Sequence, residues 1–240
     1  MNRTHRVQLF DDWAEYYDPS IQDDGTFPFD GYERVLDEIV RASGAQPGMM
    51  VLDLGTGTGN LAARFAALGC DLWGIDFSAE MLARAAEKLP QAVLVQAGLL
   101  DAWPEKLERR FDRIVSAYVL HEFDPLAKME LLRRLASRYL AARGRIVVGD
   151  IAFPTSGARA RAHEKWAHAW DEEEFYWAAD EAVEACEGTG LRVAYRQISS
   201  CGGVFVFGPA SMGVISHRSL TGGGSNAKYR PSAAYVRLSL

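Results

Sequence analysis

Apolar positions along the chain alternate between short continuous runs and longer stretches at helical spacing. Residues 49–54 (MMVLDL) form an apolar run that ends at a glycine-rich loop, and Leu61, Phe65 and Leu68 follow at helical intervals until Gly69. Residues 71–75 (DLWGI) read as a second strand. From Ser78, whose hydroxyl can accept from the free amides of a first helical turn, Met81, Leu82, Ala85 and Leu89 line one face. Residues 92–96 (AVLVQ) and 113–118 (RIVSAY) predict a third and a fourth strand. Asp124-Pro125 sets an acid at a cap and a fixed φ in the first turn. The helix it opens is expected to bury Met129, Leu132, Leu135 and Tyr139 and to stop near Gly144, ahead of a fifth strand at 145–149 (RIVVG).

Short β-branched runs separated by amphipathic helices need a sheet covered on both faces. Residues 191–198 and 203–207, joined by a short link, predict an antiparallel hairpin at the sheet edge. The expected fold is therefore α/β: a doubly wound, mostly parallel seven-stranded sheet with helices on both faces. Ahead of it, residues 7–43 look helical and carry Phe10, Trp13, Tyr16 and Tyr17; after the fifth strand, residues 158–185 read as one or two helices rich in tryptophan and acids. Residues 209–240 contain Gly222-Gly223-Gly224-Ser225 and show no period, which predicts a flexible extension to a domain spanning 1–208.

Composition narrows the classes. With 48% hydrophobic residues in 240, the chain can bury a substantial core. The formal charge is −6, but all 32 acids precede Pro209 whereas four of the 26 bases follow it, so residues 1–208 carry −10. That excess disfavours nucleic acid and anionic membranes as partners. The three cysteines have no paired spacing, the N-terminus lacks the apolar run of a signal peptide, and no stretch is apolar enough to span a bilayer. These features predict a cytoplasmic protein; the expected assembly, which they do not fix, is a monomer or homodimer.

The strongest chemical signal is Asp53-Leu54-Gly55-Thr56-Gly57-Thr58-Gly59-Asn60, placed between the first strand and the first sheet-covering helix, where open α/β sheets bind ligands. A dinucleotide fingerprint would need glycine at position 60, and a phosphate-cradling P-loop would need a Gly-Lys-Ser/Thr ending; neither is present. Asp76 ends the second strand in GIDFS, where a carboxylate can accept from two ribose hydroxyls.

This pattern resembles motif I of the class I S-adenosylmethionine-dependent methyltransferases, a Rossmann-like family. DFSAEMLARA resembles the family's DxSxxML segment, and FDRIVSAYVLHEF its fourth-strand motif. FDDWAEYYD near the start and WDEEEFYWAADEA…QISSCGGVFVF near the end resemble most closely the bacterial YrrT-type members. The resemblance implies S-adenosyl-L-methionine as cofactor. It places Asp53, Gly55, Thr56, Gly57 and Gly59 in the cofactor loop, Asp76 on the ribose, Phe77 and Met81 beside the adenine, and Trp13 and Tyr17 on a helix closing over the site. The family's third-strand Gly-Asp is here Gly98-Leu99, so Leu99 stands where an acid usually meets the adenine amino group.

Methyl transfer from a sulfonium requires alignment and exclusion of water more than acid–base machinery. A base is needed only for an acceptor that arrives protonated; His121 is the candidate, followed by Tyr118 and Glu122, and Asp150 after the fifth strand could orient an amine. Trp166, Trp170, Phe175, Tyr176 and Trp177 among acids form either a substrate-facing cap or an ordinary packing surface. The remaining histidines show no ligand spacing, which predicts no metal. The expected activity is methyl transfer to a small-molecule acceptor; a non-catalytic cofactor sensor and a protein methyltransferase stand as alternatives.

Overall fold

The computed structural model describes residues 11, 14, 17–21 and 25–209. Of the expected extension 209–240 only Pro209 is described, as the last residue of a strand; the rest of it, and Phe10, Trp13 and Tyr16, lie outside the described residues.

A four-residue helix α1 (Tyr17–Ser20) precedes α2 (Tyr32–Ser43). The sheet unit then runs β1 (Met50–Leu54), α3 (Asn60–Ala67), β2 (Asp71–Asp76), α4 (Ala79–Lys88), β3 (Val93–Gln96), β4 (Phe111–Ala117), α5 (Pro125–Arg134) and β5 (Leu140–Phe153). It is completed by α6 (Ser156–Lys165), a two-residue β6 (Trp177–Ala178), α7 (Ala179–Cys186), β7 (Leu191–Gln197) and β8 (Gly202–Pro209). Caps explain two helix starts: Ser78 accepts from the Met81 amide at 3.1 Å and Asp124 from the Ala127 amide at 2.9 Å.

The strand order is β3-β2-β1-β4-β5-β8-β7, with β6 pairing only β5. Pairing is parallel from β3 to β5, and β8 alone runs against its neighbours, so β7 points the same way as β5. The hairpin is at the edge as expected, and its second strand is the inner one. Because the crossovers are parallel, the carboxyl ends of β1, β2, β4 and β5 open on one edge, which is where side chains can converge on a ligand.

Alternate strand residues feed two cores. Leu52, Leu54, Ile114, Ile146 and Val148 enter the core under α5 and α7, while Val51, Val115, Val147 and Ile151 enter the core beneath α2 and α3. The strands read as continuous apolar runs because both faces are buried. The expected helix end near Gly144 is corrected: α5 ends at Arg134, a π turn covers Leu135–Tyr139, and β5 begins at Leu140. Met129 is only half-buried and Lys128 takes a buried place beside it.

Helix α2 lies close on β5 because Gly149 has no side chain. A Cβ there would come within 2.6 Å of both Ile39 Cδ1 and Val35 Cγ1. Gly149→Ala is expected to destabilise the fold by about 1–3 kcal/mol through overpacking, as read from urea unfolding midpoints. An unchanged midpoint would mean that α2 is not seated against this strand.

Candidate active site

The loop between β1 and α3 is held to β2 by its backbone: Gly55 and Thr56 amides donate to the Ile75 carbonyl at 2.8 and 3.0 Å. Gly55 has φ 63° and Gly57 φ 55°, a conformation that side chains with a Cβ rarely adopt. Their surroundings differ. A Cβ on Gly55 would strike Val119 Cγ2 at 2.5 Å, whereas one on Gly57 would meet nothing nearer than the Gly55 carbonyl at 4.0 Å. Gly55 therefore seats the chain leaving β4, and the surface over Gly57 is open to a ligand. Thr56 is buried and its hydroxyl donates to the Asp53 carbonyl at 3.0 Å. Gly59 caps α3 without a side-chain acceptor.

Asp53 supplies that acceptor from β1, receiving the Ala62 amide; its Oδ2 is buried and has no hydrogen-bond partner among the described residues. Asp76 accepts from Gly57 N at 2.8 Å and Ser78 N at 2.9 Å. Burial, opposed by these amide bonds, pushes the Asp76 carboxyl up. Burial and then the charge of Asp76 push Asp53 well above the usual carboxylate range.

Helix α1 covers this loop. Asp18 Oδ1 accepts from Thr58 Oγ at 2.6 Å and Asn60 Nδ2 at 3.0 Å, and its Oδ2 pairs with Lys88 Nζ at 2.6 Å. Tyr17, Tyr32, Asp53, Gly57 and Ala117 are among the walls of a space of only about 20 Å³, room for about one water.

Beyond β4, Tyr118 has φ 54°, the one positive value among described non-glycine residues, and its ring packs 5.2 Å from Tyr32 and 5.7 Å from Phe29. A bulky residue held there stores strain of about 1–3 kcal/mol, a frequent mark of functional sites. Three residues on, His121 Nδ1 lies 2.5 Å from Asp150 Oδ1. Asp150 is fully buried, and its Oδ2 accepts from the His121 amide at 3.0 Å and Trp177 Nε1 at 3.1 Å. This carboxylate assigns the proton to Nδ1 and turns Nε2 toward Glu122 Oε1 at 3.8 Å and Glu174 Oε1 at 3.6 Å. Burial acts to lower the imidazole pKa, but Asp150 by charge and hydrogen bond, and then Glu174, outweigh it; the net shift is upward.

The matches to known proteins agree with this geometry. Residues 51–144 match the family described as a methyltransferase domain. An uncharacterized methyltransferase of Geobacillus thermodenitrificans is 31% identical over 202 residues, covering 80% of this chain and 91% of the relative. YrrT of Bacillus subtilis, also an uncharacterized methyltransferase, is 34% identical over 162 residues, covering 66% of this chain and 73% of YrrT. The chain belongs to the methyltransferases.

Solved structures give the methyltransferase fold the same support. The DhpI-SAM-HEP complex aligns with TM-score 0.65 at 21% identity, covering 85% of this chain and 96% of that one. Magnesium protoporphyrin IX methyltransferase from Synechocystis PCC 6803, with bound SAH, aligns with TM-score 0.66 at 18% identity, covering 86% and 99%.

Within this methyltransferase, the residues expected from sequence divide by location. Asp53, Gly55, Thr56, Gly57, Gly59, Asp76 and Tyr17 gather at the loop; Trp13 lies outside the described residues. Phe77 is half-buried and Met81 buried at the start of α4, and Leu99 is buried with its carbonyl taken by the Arg134 guanidinium. Of the aromatic group, Trp170, Phe175, Tyr176 and Trp177 all line one cavity of about 560 Å³. Phe27 stacks between Trp166 at 5.1 Å and Trp170 at 5.6 Å, with Tyr176 edge-on, so these rings fill one another, while Trp177 packs in the other core on Phe205 at 5.0 Å. Asp150 as partner of His121, and Glu174 facing it, were not foreseen; their meeting depends on the path of the 166–176 segment, clamped by Phe175 N donating to the His121 carbonyl at 2.7 Å.

A carboxyl whose pKa is raised on folding favours the native state while protonated, and that contribution is lost as pH rises through the folded value. Asp53 is thus a cost at neutral pH. Asp53→Asn is expected to raise stability at pH 7 by about 1–3 kcal/mol, because the amide carries no charge to be held out of water. The gain should shrink toward pH 4 in paired thermal melts; an equal gain at both pH values would refute the burial argument.

Proposed function

We propose that this methyltransferase takes its methyl group from S-adenosylmethionine and passes it to a small-molecule acceptor. The observation that carries the reading is the glycine loop after β1 set against the amide-anchored Asp76 at the end of β2. Asp76 is held by backbone donors and keeps lone pairs for a ribose diol. Asp53 Oδ2, without a partner among the described residues, suits a cationic donor such as an ammonium, and the open surface above Gly57 lets a ligand approach the backbone. Gly55, Thr56 and Gly59 shape that loop. Phe77, Met81 and Leu99 provide apolar surface for the adenine, with no acid at Leu99, and Tyr17 is assigned to the methionine end. The SAM and SAH named in the neighbouring structures support the choice of donor.

When bound, S-adenosylmethionine supplies a methyl group on a sulfonium that leaves by in-line displacement. The chain's part is to align the acceptor and shut out water, which α1 does by closing on Thr58, Asn60 and Lys88. Tyr118, strained at the end of β4, is assigned to the acceptor side. His121, the base expected from sequence, has Nδ1 engaged by Asp150 and Nε2 facing two carboxylates; we assign it no proton transfer. The net −10 of residues 1–208 favours a small acceptor over nucleic acid.

Calorimetry with S-adenosylhomocysteine should give one site per chain, and Asp76→Ala should weaken it by about 1.5–3 kcal/mol, the cost of hydrogen bonds to a charged group. Labelled S-adenosylmethionine incubated with a metabolite extract should mark a low-mass product. Absence of binding by folded protein would overturn the donor assignment, and label confined to protein would overturn the acceptor class.

A further inference from the structure

The space between His121, Glu122 and Glu174 is built unlike an ordinary hydrogen-bonded contact. With its Nδ1 proton given to Asp150, the imidazole presents Nε2 as an acceptor, and the groups facing it are themselves carboxylate oxygens. One ligand atom from each of the three residues lies within 4.8 Å of the other two. The His121 side chain is 9% exposed and those of Glu122 and Glu174 are 15% and 18%, so water screens this convergence poorly. The separations of 3.6 and 3.8 Å from Nε2 are too long for hydrogen bonds. They are close to the spacing of about 3.4 Å between donors around a tetrahedral ion with bonds of about 2.1 Å.

The supporting groups are those of a metal centre. A ligating histidine usually gives its other ring N–H to a carboxylate, which fixes ring and tautomer. Asp150 does this, and is itself fixed by the His121 amide, by Ile151 N at 2.9 Å and by the Trp177 indole. The Tyr176 hydroxyl hydrogen-bonds Glu174, and the Phe175 amide ties that segment to the His121 carbonyl. Lys128, the ammonium beside this segment, is committed to the Phe175 carbonyl and to the face of Trp177 at 4.3 Å. Glu174 also lines a cavity of about 560 Å³, which offers a route for an ion.

We propose that His121 Nε2, Glu122 and Glu174 form a divalent-metal site of the zinc type, with three protein ligands and a fourth position for water or another small ligand. One nitrogen and two oxygen donors suit Zn²⁺ before Mg²⁺ or Ca²⁺, which prefer more oxygens. The site lies beyond the carboxyl end of β4 and its formation does not require the methyl donor. Its assignment stands or falls separately from the donor reading.

The test uses the full chain without a purification tag, stripped with chelator and dialysed. Zn²⁺ is then titrated against a chromophoric chelator, with Mg²⁺ as comparison. The expected result is one Zn²⁺ per chain, at least tenfold weaker in Glu174→Gln and in Glu122→Gln, and unchanged in Glu172→Gln, which removes the surface His163–Glu172 pair at 2.8 Å. Circular dichroism checks that each variant is folded. Should the ligand variants fail to fold, ¹⁵N spectra of the natural chain still decide, since Zn²⁺ must move the His121 Nε2 resonance and leave Nδ1 protonated. No stoichiometric Zn²⁺ binding, equal binding in folded ligand variants, or an unmoved Nε2 resonance would overturn the site.

Discussion

Two carboxylates buried on neighbouring parallel strands govern the ligand edge of this protein. Pairing of β1 with β2 sets Asp53 opposite Gly74, and so brings Asp76 to the strand end beside the loop that Asp53 starts. Each acid is stabilised by backbone amides: Asp53 by the first turn of α3, Asp76 by Gly57 and Ser78. The loop cannot move without breaking both sets of bonds. Gly74 is drawn into the same arrangement, since a Cβ there would stand 2.4 Å from Thr56 Oγ1 and push the loop from the sheet. The protein thus spends stability on charge held out of water at the place where a ligand must be recognised.

A third buried acid organises the other half of the edge. Asp150 on β5 holds the ring and amide of His121 from the adjoining β4 connection, and the indole of Trp177 from β6. It joins three segments that are distant in sequence, and the 166–176 segment is laid over them by the Phe175 and Lys128 contacts. Next to them, Phe27 stacks on Trp166 and Trp170, which ties the chain before α2 to the chain after α6.

Much of the first half was legible in the residues themselves. Ser78 and Asp124 announced their helices because a cap is a contact over three residues, and the glycine loop was readable because its strand, turn and helix are consecutive. The boundary near Gly144 was misread for a related reason. Leu135 and Tyr139 do keep a helical spacing and are buried, but the π turn and then β5 pairing with β4 at Leu140 end the helix before the periodicity does. Propensity gave way to strand pairing. Lys128 is buried beside Met129 because the neighbouring Trp177 ring and Phe175 carbonyl can receive an ammonium, which no single-helix pattern reveals.

Taken by itself, the sequence determined the parallel α/β order, the loop after β1 and the acid at the end of β2, since these depend on neighbours along the chain and on the handedness of strand–helix–strand crossovers. Only the tertiary structure decided that His121 would be held by Asp150 and face Glu174, that the tryptophans would divide between two cores, and that α1 would close on the glycine loop through Asp18. Those contacts span tens of residues. Their existence follows from how connecting segments are packed against the sheet, and side-chain identity along the chain carries no record of that path until the strands have paired.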